Sequence, residues 1–235
     1  MNEIRKITLN YDPLERLHLR SPVDRVAFIT DQCRNKRVLD IGCYDETALV
    51  KRNTEHWLHG RISAVAKSVV GVDISAEIPP EGIETGPHSR IMRGNGAKPE
   101  VDEDIDIIVA GEFIEHIETP IDFFRFLRKR YPGKEMVVST PNGTSFANTL
   151  LGAVGREAQH QDHLQIFSYK ILHTLCLRVG FPEWEIIPYY FRATETILHS
   201  GGAKRSAAVA VQAIVNGVER VCPLLCCGYI VKARL

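Results

Sequence analysis

Residues 105–111 read Ile-Asp-Ile-Ile-Val-Ala-Gly, aliphatic at almost every position. A strand with one face in water alternates apolar and polar side chains. A run without alternation is covered on both faces, as the central strands of a parallel sheet are. Comparable runs lie at 37–42, 68–73, 135–140, 185–191 and 227–232, with a shorter one at 91–93. Between them the period changes to that of a helix. In 119–131, Ile121, Phe124, Leu127 and Tyr131 share one face, Thr119-Pro120 supplies a start and Pro132-Gly133 a stop. Strand and helix in alternation predict a doubly wound, mostly parallel α/β sheet.

The 235 residues are expected to form a single domain over 1–235, with a polar, glycine-flanked active-site cover at about 143–180. Within that cover, residues 169–179 have helical period through Ile171, Leu172, Leu175 and Val179. An additional helix is expected at 53–67, and another at 203–221, whose apolar face suits docking on the sheet or on a second subunit. The oligomeric state stays open.

Charge and cysteine usage narrow the partners. Lysine plus arginine and aspartate plus glutamate number 29 each, so composition does not ask for a basic footprint on nucleic acid, which leaves room for a local basic patch. The six cysteines lie mostly in apolar runs without C-x-x-C pairs, as reduced core thiols of a cytoplasmic protein do. Residues 1–10 lack the apolar run of a secretory signal, and 206–218 is too short to span a membrane.

Four segments end consecutive strands and therefore converge on one sheet edge: LDIGCYD, VVGVDIS, RGNGAK and VAGEFIEHI. The turn from Asp40 to Asp45 and the helix after it offer backbone N–H groups to an anion. Asp73 can accept hydrogen bonds from two ribose hydroxyls, and Asn95 with Gly96 can meet an adenine edge. The acidic residues Asp102, Glu103, Asp104 and Asp106 read as a solvated loop. His18, His56, His59, His88, His173 and His199 have no motif context and read as surface or packing residues.

These motifs, in this order and followed by HIETPIDFFRFLRKRYPGKEMVVSTPN, resemble a class I S-adenosylmethionine-dependent methyltransferase of the small-molecule and glycan branch. The resemblance covers about residues 35–142, with a weaker echo in DHLQIFSYKILHTLCLRVGF. It implies a Rossmann-like seven-stranded sheet of order 3-2-1-4-5-7-6 with an antiparallel last strand. It also implies S-adenosylmethionine as cofactor, contacted by Asp40, Gly42, Tyr44, Asp73, Ile74, Asn95, Gly96, Gly111 and Glu112. Tyr44 and Glu46 stand where the family usually has glycine, and Asn95 where it often has aspartate. Tyr and Glu side chains would obstruct the pyrophosphate of a dinucleotide. A sulfonium and an ammonium tolerate Asp45 or Glu46, and the Tyr44 ring suits a cation.

The activity implied is O-methylation of a sugar or other small-molecule hydroxyl, with His163 or His116 as the base and Glu115 orienting His116. His116 reads equally as a structural residue under the cofactor. Glu112 and His116 have a spacing that suits metal ligation with His160 and His163, but no third convincing carboxylate is evident and no metal is expected. Two other readings stand beside this one: a non-catalytic assembly module with a degenerate cofactor loop, and a methyltransferase acting on protein or nucleic acid.

Overall fold

The computed structural model describes residues 16–44, 54 and 56–235. Asp45 and Glu46, and residues 53 and 55 of the expected additional helix, lie outside the described residues. Eight strands form one sheet: β1 (Arg37–Ile41), β2 (Ser68–Asp73), β3 (Ile83–Gly86), β4 (Ser89–Arg93), β5 (Ile107–Gly111), β6 (Glu135–Pro141), β7 (Trp184–Tyr189) and β8 (Gly228–Arg234). Their spatial order is β3-β4-β2-β1-β5-β6-β8-β7. Pairing is parallel from β4 to β6, and β8 runs antiparallel to both β6 and β7. Apart from β3 this is the expected order with its antiparallel last strand.

The correction is at the β3 edge. The strand expected at 91–93 starts at Ser89 and is one arm of a hairpin with β3, in antiparallel register Ile83↔Ile91. The sheet therefore has eight strands rather than seven. Ile-Glu-Thr-Gly is four residues long and half exposed, so it carries none of the aliphatic continuity that marks the central strands.

Seven helices are described: α1 (Arg25–Gln32), α2 (Leu58–Ser63), α3 (Pro120–Arg130), α4 (Phe146–Ala153), α5 (Tyr169–Val179), α6 (Thr194–Leu198) and α7 (Gly202–Val221). Their ends follow local chemistry. Asp24 caps α1 by accepting from the Ala27 N–H at 2.9 Å, while Ser145 and Ser168 cap α4 and α5. Pro120 begins α3 and three basic residues end it, in line with the helix dipole. Gly180 closes α5 in the left-handed region at φ 76°.

The core lies on both faces of the sheet. Along β5, Ile107 and Val109 pack with α1 residues Ile29 and Phe28, while Ile108 and Ala110 pack with Phe124, Leu127, Leu172 and Cys176 of α3 and α5. Each buried aliphatic side chain contributes about 1.5–3 kcal/mol. Helix α3 also buries Phe123, while the expected Ile121 is only partly covered. Helix α7 buries just Val215 and Glu219 and leaves Val209, Val211 and Ile214 in solvent. All six cysteines are free; Cys33, Cys43, Cys176 and Cys226 are buried, whereas Cys222 is exposed. No helix among the described residues is long and apolar enough to cross a membrane.

Candidate functional site

The strand order reverses between β1 and β5, and the carboxyl ends of β2, β1, β4 and β5 form one edge there. Gly42 leaves β1 with φ +68°, and its N–H donates to the Val72 carbonyl at 2.9 Å. A Cβ at Gly42 would lie 2.7 Å from the Phe113 ring, and one at Gly96 would lie 2.9 Å from the same ring. Phe113 therefore forms the wall between the two bare backbone positions. The sequence reading passed over it, since a lone aromatic after a strand carries no motif.

Asp73 ends β2 with its carboxylate accepting from the Tyr44 N–H at 3.0 Å and the Ser75 N–H at 2.9 Å. Burial raises its pKa, and those two N–H groups oppose the rise. Each oxygen keeps a second lone pair for a hydroxyl. Ile74 beside it is 74% exposed, an apolar surface at the rim. Asn95 Oδ1 accepts from the Ala97 N–H at 2.9 Å, so the side-chain carbonyl expected to face adenine is engaged in a local turn.

Three expected contacts have partners elsewhere. Asp40 is buried, and its Oδ2 meets His59 Nδ1 at 2.8 Å; His59 Nε2 continues to Thr85 Oγ1 at 2.9 Å. With Nδ1–H donating to the carboxylate, Nε2 accepts from the hydroxyl. His59 fits the packing role read from sequence, yet its specific task, holding the first strand's aspartate, had no signal there. The Tyr44 ring packs on the cluster of Cys43, Trp57, Ile78 and Ile91, and its hydroxyl donates to Glu77 at 3.2 Å. Glu112 sits at φ 53°, and its Oε1 accepts from Tyr189 at 2.9 Å and Ser139 at 3.0 Å, with Arg25 at 3.7 Å. Gly111 has no room for a side chain, because a Cβ would stand 2.7 Å from Leu58.

Beyond β5, a short 3₁₀ turn (Ile114–His116) meets the segment at 159–165. The Leu164 and Gln165 N–H groups both donate to the Glu115 carbonyl, at 2.8 and 3.1 Å. This brings the His163 ring to 4.7 Å from His116, with His160 at 5.6 Å from His163 and 6.1 Å from His116. His163 Nδ1 faces Gln159 Oε1 at 3.3 Å. Its pKa is lowered by burial, then by His116 and His160. Gln159 also lines an open groove of about 620 Å³ bounded by Thr144, Asn148, Thr149 and Arg156.

The donor set on this edge suits an adenosyl group joined to an amino acid: a carboxylate for vicinal hydroxyls, an apolar rim, and bare backbone at Gly42 and Gly96. Residues 14–185 match the family described as a methyltransferase domain. No curated protein sequence matches the chain. Among solved structures, an S-adenosylmethionine-dependent methyltransferase from Mesorhizobium loti is 16% identical, covering 89% of this chain and 95% of that one with TM-score 0.52. One from Archaeoglobus fulgidus is 16% identical, with 89% and 94% covered and TM-score 0.50. Phosphoethanolamine N-methyltransferase 2 of Haemonchus contortus, in complex with S-adenosyl-L-methionine, is 12% identical, with 90% and 52% covered and TM-score 0.52. At such identities the likeness is one of fold. The family match, which spans well over half of the chain, carries the assignment: the protein belongs to the methyltransferase-domain family and is a class I S-adenosylmethionine-dependent methyltransferase.

Proposed function

We propose that this methyltransferase transfers the methyl group to the hydroxyl of a small-molecule or glycan acceptor. The cofactor supplies an electrophilic methyl carbon on a sulfonium. Asp73 accepts from its ribose, Ile74 and Phe113 flank the adenosyl group, and the Gly42 turn admits its amino-acid end. The acceptor enters through the groove beside Gln159 under the cover at about 143–180, within a single domain. An oxygen–carbon bond forms as the carbon–sulfur bond breaks, and the hydroxyl proton leaves to solvent through the face carrying His116, His160 and His163.

The observation that carries this reading is the junction of groove and histidines at Gln159, which bounds the groove and meets His163 at 3.3 Å. The groove's hydroxyl and amide side chains can exchange hydrogen bonds with a hydroxylated ligand. In-line placement of oxygen, methyl carbon and sulfur supplies much of the acceleration.

Calorimetric titration with S-adenosylhomocysteine should give saturable binding. Asp73→Ala should weaken it by about 1.5–3 kcal/mol for each charged hydrogen bond lost. Radiolabelled methyl should then appear on a sugar or phenolic acceptor from a panel of hydroxylated compounds. Binding that is unchanged in Asp73→Ala, or label that appears on protein or RNA alone, overturns the reading.

A further inference from the structure

Glu115 is the most buried carboxylate beside the histidine group, at 1% exposure, and neither of its oxygens has a hydrogen-bond partner among the described residues. The Thr140 hydroxyl is close enough to favour the charged carboxylate but is itself without a bond among the described residues. Arg25 pairs with Glu112 at 3.7 Å, and Glu112 adds a second negative charge near Glu115. A buried polar group without a partner is costly, and a buried unpaired charge more so. Such a carboxyl group is compensated either by its own proton or by a bound cation.

The geometry around it favours the cation. One ligand atom each from Glu115, His116 and His163 lie within 4.8 Å of one another. The two imidazoles meet edge-on at 82°. Their positions are fixed by Glu115 itself, whose carbonyl anchors Leu164 and Gln165. His163 presents Nδ1 to the Gln159 carbonyl oxygen, leaving Nε2 to coordinate. Metal-bound histidines are typically held in this way, the second nitrogen donating to a carbonyl or carboxylate. The carboxylate that the sequence reading lacked for a metal site is therefore present, and it is Glu115 rather than Glu112.

We propose that Glu115, His116 and His163 bind a divalent first-row transition ion, with Gln159 orienting His163. Two imidazoles and one carboxylate suit such an ion better than magnesium or calcium, which prefer oxygen donors alone. Three protein ligands leave positions open for an oxygen of the acceptor. The role of the ion, though not its binding, rests on the methyltransferase reading above. Coordinated to the acceptor hydroxyl, the ion lowers its pKa; the proton passes to solvent, and the oxygen attacks the methyl carbon as sulfur departs. His163 and His116 then act as ligands rather than as free bases.

The test uses the full chain, stripped with a chelator and titrated with Co²⁺, read by calorimetry and by ligand-field absorption in the visible. Wild type should bind one equivalent, and its melting temperature should rise with added Co²⁺. Glu115→Gln, His116→Ala and His163→Ala should each weaken Co²⁺ binding by more than tenfold, and Gln159→Ala by roughly tenfold. Titration of the same metal-free protein with S-adenosylhomocysteine separates the two readings. Cofactor binding without Co²⁺ binding overturns the metal site alone. Co²⁺ binding without cofactor binding upholds the metal site and overturns its role in methyl transfer. Because Glu115→Gln changes a buried group, His163→Ala on the partly exposed segment is the decisive variant. Co²⁺ affinity equal to wild type in that variant sinks the proposal.

Discussion

Two buried carboxylates stand beside histidines in this molecule, and they are built in opposite ways. Asp40 is matched to His59 at 2.8 Å, and His59 in turn to Thr85 at 2.9 Å, so both nitrogens of the ring are taken. Glu115 is equally buried, faces His116 and His163, and has no bond to either oxygen among the described residues. Asp40, Cys43 and His59 also bring three ligand atoms within 4.8 Å. There, however, the imidazole has no nitrogen to spare and the whole group is buried. A closed network specifies structure, whereas an open one asks for a ligand. The contrast between a closed and an open set of partners is the ground on which the metal-site proposal stands.

Breaking the closed network should have the largest effect. His59→Ala leaves Asp40 buried without its partner, which should cost about 3–5 kcal/mol. For a chain of this length that is a fall in Tm of roughly 10 °C. Differential scanning calorimetry checks it. A loss below about 1 kcal/mol would mean that Asp40 finds another donor and that the network is not what holds the β1 end.

A third carboxylate lies between the two extremes. Glu219 of α7 is 1% exposed; one oxygen accepts from the Phe191 N–H at 2.9 Å and the other has no bond among the described residues. Burial pushes its pKa up to about 7, against the N–H groups of Phe191 and Cys227 and the charge of Arg192. An acid whose folded pKa lies above its unfolded one gives stability that is complete below the unfolded value, 4.5, and gone once pH has risen through about 7. Urea unfolding at pH 5 and pH 8 should therefore show wild type losing on the order of 3 kcal/mol relative to Glu219→Gln. Parallel curves for the two proteins would show that the carboxylate reaches water.

How much of this was legible before folding follows from what each feature depends on. The central strands and Asp73 at a strand end were readable because aliphatic continuity and strand-end position are local properties of the chain. The β3 hairpin was not, since an edge strand needs little apolar character and Ile83 finds its partner Ile91 only in the sheet. His59 lies 19 residues from Asp40, and nothing in its own neighbourhood marks it as that residue's clamp. Tyr44 reads from sequence equally as a packing residue and as a cofactor contact; its ring packs on the cluster with Ile78 and its hydroxyl reaches Glu77. From sequence Glu115 reads as a support for His116. Its burial without a partner among the described residues, and the bonds from Leu164 and Gln165 to its carbonyl, are tertiary facts that no local pattern carries.

The smallest expected effect is the sharpest test of the contrast. In metal-free protein, Glu115→Gln removes a carboxylate that no described side chain holds, so it breaks no hydrogen bond and creates no cavity. Isosteric replacement of a group that was never paired should leave stability within about 1 kcal/mol of wild type, or raise it. His59→Ala, at a site of the same burial, falls on the opposite side of that line. With Co²⁺ present the order changes: wild type should gain melting temperature by mass action, and Glu115→Gln should not follow it. Thermal unfolding of the two variants with and without Co²⁺ measures all of this in one experiment. If metal-free Glu115→Gln loses as much stability as His59→Ala, then Glu115 is a paired structural carboxylate like Asp40, and the distinction drawn between the two sites is wrong.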